Sequence, residues 1–158
     1  MVITLPFDPT PLAAALLTVW LVAITWTDIR SFRIPDALSL SLIGLGLMWS
    51  ATAFGPGLWS AAIGAGVGYG ALALIGEVYF RRAGTEGLGL GDAKLFGASG
   101  AWLGWQALPT VLLCAAVAGL VFALIHRRSA DRRIAFGPWL ALAFWGVWIG
   151  PAVLAYPG

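Results

Sequence analysis

Residues Ala37–Phe80, ALSLSLIGLGLMWSATAFGPGLWSAAIGAGVGYGALALIGEVYF, carry a single charged side chain, Glu77. As one helix this stretch would be about 66 Å long at 1.5 Å per residue, roughly twice the hydrocarbon core of a bilayer. It has to turn, and Phe54-Gly55-Pro56-Gly57 is the turn signal. The reading is two membrane helices, over 37–53 and 58–80.

Working outward, the same length rule orders the flanks. Leu12–Thr27 is an apolar run that follows Pro9 and Pro11 and closes at Asp28. It falls just short of a spanning length unless its flanks are included. Beyond the polar segment Asp28-Ile29-Arg30-Ser31-Phe32-Arg33, Ile34-Pro35-Asp36 opens the second helix. On the other side, 92–126 would run about 52 Å as one helix and is too long. Gly104-Trp105-Gln106-Ala107-Leu108-Pro109 is the expected break. Helix four then covers 92–103 and helix five 109–125. A sixth helix runs from about Gly137 to Tyr156.

Composition agrees. The chain has 158 residues, 60% hydrophobic and 10% charged, with a mean hydropathy of +0.90. A soluble domain of this size carries roughly 25% charged residues. The expected class is all-α integral membrane, with six transmembrane helices in one polytopic domain over 1–158. A net charge of +2 is too small to suggest nucleic acid. One cysteine, Cys114, excludes an intrachain disulfide, and one histidine, His126, adds no second metal ligand. No metal and no cofactor are expected. No basic residue precedes the first apolar run, which argues against a cleavable signal peptide.

The basic residues orient the helices. Arg30 and Arg33 lie in the first loop, Arg81, Arg82 and Lys94 around the third, and Arg127, Arg128, Arg132 and Arg133 in the fifth. The positive-inside rule makes these odd-numbered loops cytoplasmic and puts both termini on the non-cytoplasmic side. The Arg127–Arg133 cluster is also placed to meet anionic lipid head groups. Trp26, Trp49, Trp59, Trp105 and Trp148 fall at or near helix ends, as an interfacial aromatic belt would.

Topology then brings two acids to one level. Asp28 closes helix one and Asp92 opens helix four, both at the cytoplasmic boundary. Two carboxylates at one boundary form a candidate acid/base pair, and they would sit at helix ends of opposite polarity. The plainer reading is a pair of ordinary interfacial charges, since acids near helix ends are tolerated. Local sequence favours the pair. Asp92 ends the run Gly87-Leu88-Gly89-Leu90-Gly91, and glycines keep side chains off the approach to a carboxylate.

Gly89-Leu90-Gly91-Asp92-Ala93-Lys94 resembles the GxGD-x-K signature of prepilin peptidases, the type IV leader peptidases. Asp28 with Ile29-Arg30 and Ile34-Pro35-Asp36 resembles that family's first aspartate segment, and Ala101-Trp102-Leu103-Gly104 and Phe136-Gly137-Pro138 are also similar to family stretches. The resemblance implies a membrane aspartic endopeptidase with Asp28 and Asp92 as the catalytic pair. Gly89, Gly91, Lys94 and Asp36 would support the motif. It further implies cleavage of a short basic leader from prepilin or pseudopilin substrates, after a glycine and just before the substrate's transmembrane helix. The implied location is the bacterial inner membrane, multi-pass, with the active site at the cytoplasmic face and the lipid bilayer as the other partner. Longer members carry a Cys-x-x-Cys zinc-binding insert and methylate the new N-terminus. With one cysteine, this chain looks like the short form of Flp/Tad-type pilus systems, and methyltransferase activity is not expected. The alternative class is a non-enzymatic membrane subunit or a small proton- or cation-coupled transporter using the paired acids.

Other features have plainer readings. Asp36 rivals the pair as a catalytic acid, but helix capping beside Pro35 explains it. Glu77 has Arg81 four residues on, a common helical ion pair, and Glu86 caps or solvates its loop. Lys94 opposes the dipole at a helix start, so it either balances Asp92 or meets an acidic substrate residue. Gly64-Ala65-Gly66-Val67-Gly68-Tyr69-Gly70 sits mid-helix and is read as a close helix–helix contact, not a dinucleotide loop.

Overall fold

The computed structural model describes residues 10–31, 33–84, 89–125 and 136–154, with side chains to residue 150. These residues form six α-helices and no strand: α1 (Thr10–Ser31), α2 (Asp36–Ser50), α3 (Leu58–Ala83), α4 (Leu90–Leu103), α5 (Leu108–Ile125) and α6 (Gly137–Leu154). A 3₁₀ turn, Trp105–Ala107, joins α4 to α5. The all-helical expectation and the helix count hold for the described residues. Among the described residues, three segments are long and apolar enough to cross a membrane: Thr10–Ser31, Leu58–Ala83 and Trp105–Ile125. At 1.5 Å per residue, α2 and α4 are each roughly 20 Å long, shorter than a bilayer core of about 30 Å.

The helix ends differ from expectation in places. α1 does not close at Asp28 but continues to Ser31, whose hydroxyl donates back to the Thr27 carbonyl at 2.7 Å. α2 ends at Ser50, because the chain doubles back there: a Cβ on Gly55 would lie 2.5 Å from Ser50 Cα. α4 starts at Leu90, with Gly89 as its extended N-cap. It stops at Gly104, whose φ of +81° suits glycine alone.

α4 is the centre of the bundle and touches α2, α3, α5 and α6. Nine of its 14 residues are buried, including the unbroken run Leu95–Trp102. Such burial needs close neighbours, and small residues supply them. Gly64 of α3 lies directly on Gly100, and a Cβ on Gly68 would be 2.8 Å from the Phe96 carbonyl oxygen. The glycine-rich segment of α3 is therefore a helix contact through Gly64 and Gly68, while Gly66 and Gly70 face open space.

At the C-terminal end of α4, Trp102 stacks on Trp49 at 6.2 Å and meets Trp148 edge-on at 6.1 Å. Trp49 and Trp148 are thus partly buried and packed against the core, whereas Trp26, Trp59 and Trp105 are exposed. Trp102 Nε1 donates to the Leu42 carbonyl at 2.9 Å, and Ser50 Oγ to the Ala101 carbonyl at 2.7 Å.

The opposite end of the bundle gathers the C-termini of α1 and α3 with the N-termini of α2, α4 and α6. Arg30, Arg33, Arg81, Arg82 and Lys94 lie on the elements that meet there. Arg127, Arg128, Arg132 and Arg133, with His126, Glu86 and Gly87, lie outside the described residues.

Candidate active site

The buried stripe of α1 reads Ala13, Leu17, Leu21, Ile24, Asp28. The spacing of three and four is that of a core-facing helix edge, and its last position holds an acid where a leucine would fit. Asp28 is 6% exposed, and its Oδ2 has no hydrogen-bond partner among the described residues. Buried polar atoms are nearly always paired, so stability alone does not account for this residue.

Asp92 approaches from α4. With Gly89 as N-cap it is the third helical residue, and its backbone N–H donates to the Gly89 carbonyl at 3.1 Å. The Gly89 N–H in turn faces the Asp92 side chain. The orientation of Asp92 is thus set by the glycine segment that precedes it.

The two acids converge on the first residue of α6. A Cβ built on Gly137 would lie 2.5 Å from Asp28 Oδ2 and 3.4 Å from Asp92 Oδ1. Any larger residue there would have to displace the Asp28 carboxylate. The Gly137 N–H is turned toward Asp28. Although 64 residues apart in sequence, the two side chains face one another across a single residue.

Both acids open into a cleft of about 510 Å³, which Gly89, Gly91, Ile34, Arg33, Glu77 and Phe80 help to line. That volume is in the range of small-ligand and peptide subsites. Asp28 is buried and Asp92 half-buried, while Arg33 and Glu77 are exposed. Glu77 accepts from Arg81 at 2.6 Å, the expected i,i+4 pair. Among the described residues no three His, Cys, Asp or Glu side chains gather as a metal-binding group. Cys114 is exposed on α5, apart from this cleft.

Of the residues singled out from sequence, Asp28, Asp92, Gly89 and Gly91 come together here. Asp36 and Lys94 do not. Asp36 makes no side-chain cap on α2; it pairs with Lys94 at 2.5 Å. Lys94 therefore balances Asp36 rather than Asp92, because residues two apart on a helix point in nearly opposite directions. Gly137 had no role in the sequence reading beyond a similar stretch. The visible signal was a Gly-Pro step opening a helix after a basic loop.

Comparison with known proteins fits this geometry. The profile of the type IV leader peptidase family matches residues 15–124, which include both acids and the glycine segment. A prepilin leader peptidase/N-methyltransferase of Pectobacterium carotovorum subsp. carotovorum is 44% identical over 133 residues, 82% of this chain and 48% of the relative. One from Aeromonas salmonicida (strain A449) is 43% identical over 138 residues, 85% of this chain and 47% of the relative. One from Escherichia coli (strain K12) is 40% identical over 141 residues, 87% of this chain and 63% of the relative. The chain spans about half the length of most of these relatives. No solved structure matches it. With the profile covering well over half of its residues, and both acids inside the match, this chain belongs to the type IV leader peptidase family.

Proposed function

We propose that the protein is a membrane aspartic endopeptidase that removes the leader peptide from prepilin-like substrates, with Asp28 and Asp92 as its catalytic pair. The observation that carries this reading is the meeting of the two acids at Gly137, inside a cleft. In the reaction, one carboxylate takes a proton from water, whose oxygen attacks the scissile carbonyl. The other, protonated, donates a hydrogen bond to that carbonyl oxygen. Collapse of the tetrahedral intermediate breaks the C–N bond and returns a proton to the amine. The Oδ2 of Asp28, without a partner among the described residues, supports this assignment, since a group in that role needs an open valence for water or substrate.

The proposal places the chain in the bacterial inner membrane as one polytopic domain of six crossings. Both termini lie outside, and the cleft opens at the cytoplasmic face. The gathering of the described basic residues at the cleft end supports that orientation. A leader that ends at the membrane surface would bring its scissile bond to the depth of the acids.

The test is cleavage of a prepilin-like peptide, leader and apolar helix included, by the purified chain and by Asp28→Asn and Asp92→Asn. Wild type should release the leader, and each variant should lose activity. Undiminished cleavage by both variants overturns the paired mechanism. A wild type that processes no leader overturns the peptidase reading and favours a proton- or cation-coupled transporter.

A further inference from the structure

Lys94 stands in the glycine–aspartate motif but not in the cleft. It is a cation near the start of a helix, where the dipole opposes it, and its side chain is only 21% exposed. Asp36 is its partner, 68% exposed, at the first turn of α2. There the dipole favours an acid. Asp36 has no need of Lys94, whereas Lys94 needs Asp36.

The contact is one of two made by the same short segment. Ile34, two residues before Asp36, lies on Gly91: a Cβ there would be 3.0 Å from Ile34 Cβ. Gly91 and Lys94 are three apart on α4 and share a face. Asp92 is two residues from Lys94, about 200° around the helix, and so points the other way, into the cleft. Ile34-Pro35-Asp36 thus touches the first turn of α4 twice, at Gly91 on the cleft wall and at Lys94 away from the cleft. Both contacts bear on the rotation of that turn, and the rotation decides where Asp92 aims.

We propose that Asp36 and Lys94 are positioning residues: their ion pair locks the first turn of α4 in the rotation that brings Asp92 to Asp28. This inference rests on the paired-acid reading of the site. Misplacing a catalytic group by about 1 Å can lower a rate about 100-fold. Because neither side chain lines the cleft, substrate affinity should be untouched.

The test uses the full chain and two readouts. The first is kcat and KM on a prepilin-like peptide for Lys94→Met, Lys94→Arg and the charge-swapped Asp36→Lys/Lys94→Asp. The second needs no activity. In an Asp28→Cys/Asp92→Cys/Cys114→Ser background, a short bis-alkylating, thiol-reactive reagent bridges positions 28 and 92 by forming two C–S bonds with loss of its two leaving groups, and the same changes are introduced. Lys94→Met should lower kcat by about 10- to 100-fold at constant KM and slow the bridging. Lys94→Arg and the charge swap should recover both in part. Wild-type kcat and bridging in Lys94→Met overturn the inference. So does a loss confined to KM, which would put Lys94 on the substrate, or a swap no better than the single change. If wild type cleaves no leader at all, bridging alone decides: slowed and recovered supports the lock, and unchanged overturns it.

Discussion

The two ends of α4 are built on opposite rules. At its C-terminal end Trp102 is enclosed by Trp49 and Trp148, and its indole N–H and the neighbouring Ala101 carbonyl both have partners. At its N-terminal end Asp92 and the buried Asp28 are held apart only by a glycine, and Asp28 Oδ2 has no partner among the described residues. One end spends its packing on stability. The other leaves one carboxylate oxygen without a partner among the described residues, in a place where an apolar side chain would pack.

The sharpest way to break this contrast is Asp28→Leu. Leader cleavage should fall at least about 10³-fold, as for loss of a catalytic group, while thermal unfolding in detergent should occur at the same or a higher temperature. Removing an unpaired buried polar group is worth about 1–3 kcal/mol. A marked destabilisation would show that Asp28 is structural after all. The mirror experiment is Trp102→Ala, expected to lower stability by about 3–5 kcal/mol. Cleavage per folded molecule should stay near wild type, and an intact melting temperature would remove the aromatic end's claim. Gly137→Ala comes next. Its Cβ displaces Asp28, so kcat should drop by about 100-fold with little change in unfolding. Wild-type activity there would mean the acids do not meet at Gly137. The smallest effect belongs to Glu77→Gln, which removes an exposed ion pair worth under about 1 kcal/mol. A unchanged melting curve is expected, and a shift of several degrees would mark the cleft wall as a stability element.

Much of this was legible in the sequence, for identifiable reasons. Turns within apolar runs carry Gly and Pro, so Phe54–Gly57 and Gly104–Pro109 marked the breaks between helices. Asp28 and Asp92 could be paired because helix alternation places both at one end. What remained hidden depends on contacts across the chain. α4 shows no polar face because it is surrounded by protein, and nothing local reveals that it is central. The Asp36–Lys94 pair joins residues 58 apart, and the sequence around Lys94 points to the acid beside it or to an acidic substrate residue, not to the acid across from it. Gly137 looks like any helix-opening glycine until two carboxylates are built against it.

The glycine contact between α3 and α4 has a mechanical side. At Gly64 and Gly68 the backbone of α3 lies directly against that of α4, and at those two points no side chain stands between the helices to absorb a displacement. The wall of the cleft that carries Glu77 and Phe80 and the acid on α4 therefore form one stiff body. α1 is seated on α2 and α6 and makes no comparable contact with α4. Bringing the two acids into and out of register is then a question of how α1 rides on that body, and the bundle's compliance lies on the side of Asp28.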